Sequence, residues 1–282
     1  MAYSHQPVML DEVIHYLNPL LGDEYIDCTL GGGGHTQAIA KKILPQGKIL
    51  SLDLDQAAIE ATKEKIKNKN VILVQGNFSN LKQIASARKF NAVNGILLDL
   101  GLSSGQLQDH ARGFSFLAAG KLGMSFSGED GLDAEQILKH YSQKDLEDIF
   151  RNFGEEKLAG QISEKIVKIR REQAVTSPKQ LVDIVAEIYK NHYRLKSKIN
   201  PATKVFQALR IAVNKELDNL EAVLPQAISL LVKGGRLAVI SYHSLEDRIV
   251  KNFFRQESKD CICPPEMPVC QCGHKKTLKI IT

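Results

Sequence analysis

The first hundred residues alternate between two patterns of apolar and polar positions. Short, nearly continuous apolar runs occupy 24–30, 48–53, 71–75 and 94–100, and stretches with helical spacing occupy 34–44, 56–68 and 79–88. Apolar runs of that length without polar alternation suit strands buried on both faces, with the intervening helices as their cover. The pattern predicts βαβαβαβ with a parallel sheet. Past residue 100 the alternation stops. Residues 101–131 are rich in Gly and Ser without a clear period, and helix then follows helix. Ser142 opens one, with Asp145 three residues on as a capping-box acid. Ser177-Pro178 opens another, the serine as cap and the proline in the first turn. Asn200-Pro201 repeats the arrangement before a helical stretch at 202–231 that is expected to break near Pro225. Lys233-Gly234-Gly235-Arg236 reads as a turn, and 237–242 returns to strand character. The predicted organisation is an α/β sheet domain formed by 1–104 and 216–282, into which an all-helical domain, 105–215, is inserted.

The chemistry is concentrated where the apolar runs end. Gly31-Gly32-Gly33-Gly34 follows the first run and precedes a helix start. Four glycines weaken any regular element, and they make sense where backbone must approach a ligand at a strand-to-helix turn. Asp53 ends the second run 22 residues after Gly31, near the ~20 at which nucleotide-binding α/β folds place a ribose-binding carboxylate. A nicotinamide turn reads Gly-x-Gly-x-x-Gly, whereas this one reads Asp27-x-Thr29-x-Gly31-x-Gly33-Gly34. S-adenosylmethionine (AdoMet) has no pyrophosphate to cradle but carries a cationic amino-acid tail and a sulfonium, so an acid beside the turn favours it. Phe78 follows the third run, where an aromatic either packs on an adenine face or joins the core. Asp99 ends the fourth, at the strand end where parallel sheets bind ligands, and an acid closing an apolar run is costly to bury without purpose.

Composition changes this picture in three respects. The 282 residues are 43% hydrophobic and 24% charged, with no uninterrupted apolar run of membrane-spanning length and no secretory signal at the start. The expected compartment is therefore the cytoplasm, with no membrane partner and with reduced thiols. The net charge of +5 is uneven: residues 157–215 hold thirteen Lys/Arg against four acids. Lys190, Arg194, Lys196, Lys198 and Lys204 lie among Tyr189, His192 and Tyr193, a mixture that suits a folded single-stranded RNA. Cys261-Ile262-Cys263 and Cys270-Gln271-Cys272 enclose six residues, with His274 after them. Their spacing leaves zinc, a disulfide and plain thiols all open, so no metal ligand is assigned.

Longer motifs run through nearly the whole chain. They are His5-Gln6-Pro7-Val8-Met9-Leu10-Asp11-Glu12, the Gly31 to His35 loop, Ile96-Leu97-Leu98-Asp99-Leu100-Gly101 with Ser103-Ser104-x-Gln106, and Arg112-Gly113-Phe114-Ser115-Phe116. They continue through Pro201-Ala202-Thr203, Phe206 to Ile211 and Asn214-x-Glu216-Leu217, and close with Ser241-Tyr242-His243-Ser244-Leu245-Glu246-Asp247-Arg248. On these residues the chain resembles the ribosomal RNA small subunit methyltransferase H family. The resemblance implies a Rossmann-like AdoMet-dependent methyltransferase sheet with an inserted helical domain. It also implies methylation of the exocyclic N4 of a cytidine in the decoding region of bacterial small-subunit rRNA, with the small ribosomal subunit as partner. The family's AdoMet contacts fall on Gly33, Gly34, His35, Asp53, Phe78, Asp99 and Gln106. For the chemistry itself, Asp99 or a neighbouring carbonyl is the expected hydrogen-bond acceptor for N4, with Ser103 and His243 near the base. Where many members carry Asp-Met-Arg-Met, this chain has Leu122-Gly123-Met124-Ser125-Phe126. A non-catalytic RNA-binding assembly factor and a nicotinamide oxidoreductase remain alternatives, as do monomer and dimer.

Overall fold

The computed structural model describes residues 7–116, 120–128, 131–192, 200–267 and 269–282, apart from the side chains of Ser104 and Gln108. His5, Gln6, Tyr193, Arg194, Lys196 and Lys198, which the sequence singled out, lie outside the described residues. The chain divides into two compact units, 1–101 with 217–282, and 102–216.

The first unit is built on a sheet of β1 (Glu24–Asp27), β2 (Lys48–Asp53), β3 (Val71–Gln75), β4 (Val93–Asp99) and β5 (Leu231–Ile240). The order is β3-β2-β1-β4-β5 and every pairing is parallel. Helices α1 (Leu10–Leu17), α2 (Gly34–Ile43), α3 (Gln56–Lys65) and α4 (Leu81–Ala87) alternate with the first four strands. This is the Rossmann-like arrangement that the alternation predicts. The physical reason for the continuous apolar runs is visible in the core. Ile26, Leu50, Leu52, Ile96 and Leu98 face one side with Leu81 and Ala85 of α4, while Tyr25, Ile49 and Leu97 face the other with Val13, Leu17, Ile39 and Ile43 of α1 and α2. Successive residues of a strand point to opposite faces, and here both faces are covered.

Gly95 shows how tightly the layers fit. A Cβ built there lies 2.2 Å from Cε1 of Tyr25, whose ring is buried and whose hydroxyl donates to the Leu17 carbonyl at 2.8 Å. Gly95→Ala is expected to destabilise the protein by about 1–3 kcal/mol through overpacking, measured as a lower urea midpoint.

The second unit holds α5 (Ser104–Gln108), α6 (Ala134–His140), α7 (Gln143–Gly154), α8 (Ala159–Ile169), α9 (Pro178–His192) and α10 (Thr203–Asn214). It has its own core, with Leu146, Phe150, Ile162, Leu181, Val205 and Leu209 among its members. The capping box of Ser142 and Asp145 forms as its spacing predicts, and Ser177 Oγ accepts from the Gln180 N–H. The segment that departs from the family pattern is structural here. Leu122 and Met124 are buried in this core, and the Asn214 amide donates to the Met124 carbonyl and accepts from the Phe126 N–H, both at 2.8 Å.

Three local expectations need correction. The long helical stretch breaks at Lys215, which is left-handed at φ 50°, and not at Pro225, which lies inside α11 (Glu216–Leu230). Buried Leu220, Val223, Leu224, Ala227 and Leu230 pack α11 on the sheet, and that burial outweighs the one backbone bond that proline removes. Residues 233–236 are not a turn before β5 but a bulge within it: Val93 pairs with Leu231 and Gly95 with Arg236. Finally, Tyr189 does not present itself for stacking. Its hydroxyl donates to Glu156 Oε2 at 2.7 Å, and its ring packs on the helical core.

Candidate active site

The C-terminal ends of β3, β2, β1 and β4 lie side by side in the sheet, which gathers the glycine loop, Asp53, Phe78 and Asp99 along one edge. The loop is bent where only glycine is comfortable: φ is +49° at Gly31 and +79° at Gly33. It is also crowded. A Cβ on Gly33 lies 2.7 Å from Thr62 Cγ2, and one on Gly34 lies 2.1 Å from Pro7 Cγ, whereas at Gly32 there is nothing within 4 Å. Two glycines therefore fit the loop to its own neighbours, and Gly32 leaves an open face.

Asp53 is tied to that loop. Its Oδ2 accepts from the Gly31 N–H at 2.8 Å and its Oδ1 from the Asp55 N–H at 2.9 Å. Each carboxylate oxygen offers a second lone pair for a further donor. Burial pushes its carboxyl up to about 6, against the pull of the Asp55 and Gly31 N–H groups. Asp27 serves a different purpose. It is wholly buried, with Oδ2 accepting from the Thr36 hydroxyl at 2.6 Å and Oδ1 from the Thr29 N–H at 3.1 Å. Thr29 Oγ1 in turn accepts from the Asp99 N–H at 2.7 Å. The acid of the first strand thus shapes the turn and, through Thr29, sets the end of β4.

Around the Asp99 carboxylate the structure brings His35 and Tyr242. His35 Nδ1 lies 3.6 Å from Asp99 Oδ2, and its Nε2 donates to the Val8 carbonyl at 3.0 Å. The Tyr242 hydroxyl donates to Asp99 Oδ1 at 2.9 Å. Burial and the Asp99 carboxylate both hold the Tyr242 hydroxyl well above its usual range, so it stays the donor. Tyr242 as a whole is 53% exposed. Gly101, at φ +89°, makes space for it: a Cβ there lies 3.3 Å from Tyr242 Cδ2.

Tyr242 is a neighbour of Asp99 that the sequence reading did not name as a site residue, and His243 is found at the start of a helix. His243 is the N-cap of α12 (Ser244–Glu257), its Nδ1 accepting from the Glu246 N–H at 3.3 Å and its Nε2 lying 3.3 Å from the Glu246 carboxylate. Glu246 Oε2 also accepts from the Tyr242 N–H at 2.9 Å. The buried Glu246 thus turns His243 onto the helix and leaves Tyr242 to face Asp99. The signal was present, since an acid three residues after a capping residue is the capping-box spacing. Phe78 follows β3 in a short helical turn and packs partly on the sheet core. Ser103 and Gln106 belong to the helical unit. They cap α5 together, Ser103 Oγ accepting from the Gln106 N–H at 3.2 Å and Gln106 Oε1 from the Ser103 N–H at 3.0 Å.

The helical unit's positive charge is partly used internally. Arg210 pairs with the buried Glu216 through two bonds of 2.8 and 2.9 Å, Arg170 donates to the Leu138 carbonyl, and Lys165 pairs with Glu187. Lys157, Lys168, Arg171, Lys179, Lys190 and Lys215 remain exposed. Among the described residues no helix is long and apolar enough to cross a membrane.

Comparison with known proteins adds identity to this geometry. The family model described as the MraW methylase family matches residues 2–282. A relative from Thermomicrobium roseum, named ribosomal RNA small subunit methyltransferase H, is 45% identical over 285 residues, which is 100% of this chain and 86% of that protein. One of the same name from Dehalococcoides mccartyi is 46% identical over 283 residues, covering 100% of this chain and 79% of the relative. Another, from Clostridium botulinum, is 41% identical over 283 residues, covering 100% and 91%.

Proposed function

This chain belongs to the MraW methylase family, and from that premise we propose that it methylates the exocyclic N4 of a cytidine in the decoding region of small-subunit rRNA. Membership decides the coarser question: the protein is an AdoMet-dependent rRNA methyltransferase, which sets aside hydride transfer. The observation that carries the finer reading is the partly exposed Asp99 carboxylate at the end of β4, held between Tyr242 and His35 on the same sheet edge as Asp53.

The residues present suit AdoMet. Asp53 offers a carboxylate to vicinal ribose hydroxyls, Gly32 leaves an open backbone face for the amino-acid tail, and Phe78 supplies an aromatic surface beside β3. Gly33, Gly34 and His35 shape the loop from its helix side, and Gln106 is a further contact that the family resemblance implies. When bound, AdoMet supplies a methyl group already activated by the sulfonium. The work left to the protein is to prepare the nucleophile. The N4 lone pair of cytosine is delocalised into the ring, so the amine must be held and its charge accepted as it reacts. Asp99 takes a hydrogen bond from N4 and receives its proton as positive charge develops on that nitrogen. Tyr242 fixes the orientation of Asp99, and Glu246 and His243 fix Tyr242. Ser103 contributes by holding Gln106 at the start of α5.

The target base must be unstacked to reach such a site, which is cheaper in an RNA loop than in a duplex. The exposed lysines and arginines of the helical unit suit contacts with RNA phosphates. The test is incubation with methyl-labelled AdoMet and small-subunit particles from cells lacking the enzyme, followed by mass spectrometry of the nucleosides. Label on N4 of one decoding-region cytidine is expected; label on another atom, or none, overturns the reading. In the same assay RNA affinity is expected to fall on the order of 10²-fold between about 50 and 200 mM salt.

A further inference from the structure

We propose that Cys261, Cys263, Cys270 and Cys272 bind one zinc ion as a closed structural site. The four Sγ atoms all lie within 4.8 Å of one another. Cys261 is 3.4 Å from Cys270 and 3.8 Å from Cys272, and Cys270 is 3.6 Å from Cys272. A disulfide requires about 2.05 Å between sulfurs, so these are four separate thiols. Four sulfurs at ~2.3 Å from a tetrahedral zinc are about 3.8 Å apart, and the observed separations fall near that spacing. Backbone N–H groups are aimed at the same atoms: Ile262 at Cys272, Cys263 at Cys261 and Gln271 at Cys263, each at 3.4 Å. Such donors stabilise sulfur that carries negative charge, as metal-bound thiolates do.

The surroundings explain why a metal is needed. Cysteine is ordinarily a buried residue, as Cys28 is in the sheet unit. Between residues 258 and 282, no described residue is buried. This segment has no apolar core to order it, and short segments of that kind are usually held by disulfides or metals. What else fixes it is bonds to the end of α12, His274 Nε2 to the Gln256 carbonyl at 3.2 Å and Thr277 N–H to the Glu257 carbonyl at 2.9 Å, and an ion pair within the segment, Lys276 to Asp260 at 3.2 Å. The cluster of ligand atoms is made up of the four cysteines without His274, an all-sulfur donor set, which selects zinc or iron over magnesium or calcium. Four thiolates on Zn²⁺ carry a net charge of about −2, and Lys259, Lys275, Lys276 and Lys279 flank the cluster in sequence to offset it. Loading proceeds with loss of the thiol protons as four zinc–sulfur bonds form, without any redox partner. With four protein ligands no position is left for water or substrate, so the ion closes the loop between Cys261 and Cys272 on itself and takes no part in methyl transfer.

The test is metal analysis of untagged, full-length protein purified without chelator under reducing conditions. About one zinc per chain is expected, and Cys270→Ser with Cys272→Ser is expected to remove it, while Cys28→Ser leaves it in place. Anaerobic Co²⁺ titration of the metal-depleted protein should develop thiolate-to-cobalt charge-transfer bands that saturate at one equivalent. Trypsin should cut after Lys259, Lys275 and Lys276 faster once zinc is removed. Absence of zinc together with failure to bind Co²⁺, retention of metal by the double variant, or iron–sulfur absorption in place of zinc would each overturn the assignment.

Discussion

Asp99→Ala is expected to cripple methyl transfer while the protein stays folded. The loss expected in kcat is about 10²–10⁴-fold at saturating AdoMet, the range set by removing a positioned proton acceptor. Folding is preserved because the strand end is held by other groups. The Asp99 N–H is taken by Thr29 Oγ1, the strand pairs with β5 through backbone, and the carboxylate is 22% exposed. Asp99→Asn separates geometry from acceptance. It keeps an oxygen for Tyr242 and the shape of the side chain but cannot receive a proton, so it should lie near the alanine variant in kcat. Tyr242→Phe should lose less, because it removes the orienting bond and leaves the acceptor. The measurement is single-turnover transfer to undermodified particles, with circular dichroism and thermal unfolding as folding controls. If the alanine variant turns over within a few-fold of wild type, Asp99 is not the acceptor.

The second large effect is on AdoMet affinity and its pH dependence. A carboxylate that accepts from two ribose hydroxyls makes charged hydrogen bonds of about 1.5–3 kcal/mol each, so Asp53→Ala is expected to raise Kd by about 10²-fold or more. Burial raises the Asp53 carboxyl to about 6. In the unliganded protein a proton therefore competes with the ribose for those oxygens. Kd for the wild type should rise as pH falls through about 6, approaching tenfold per unit below it, and the alanine variant should lose that dependence. For folding the sign is opposite in sense. A carboxyl with a raised folded pKa binds its proton more tightly when folded, so its contribution is present below the unfolded value near 4 and is lost as pH rises through about 6. Isothermal titration calorimetry from pH 5 to 8 checks the affinity limb. A flat wild-type profile would show that Asp53 does not contact the ligand.

Much of this site was legible in the chain because its parts are local. The glycines of 31–34, the acid 22 residues beyond and the acids that end apolar runs are each defined within a short window, and the capping of α7 by Ser142 follows from a spacing of three. What escaped were pairings between distant residues. Tyr242 meets Asp99 across 143 positions, and no periodicity links the two. The bond between His243 and the helix that it starts is local, a capping spacing of three residues. Pro225 was read as a break on its local cost, yet the sheet face of α11 outweighs it.

By itself the sequence determined the alternation of strands and helices, the two-faced burial of the sheet and the placing of acids at its strand ends. These follow from side-chain period and backbone permissiveness, which act over a few residues. Only the tertiary structure decided which of those acids face outward. Strand order put Asp27 inside a ring of hydroxyls and left Asp53 and Asp99 at the edge. Burial and hydrogen-bond partners are properties of the packed fold, and they assign different roles to carboxylates that look alike in the sequence.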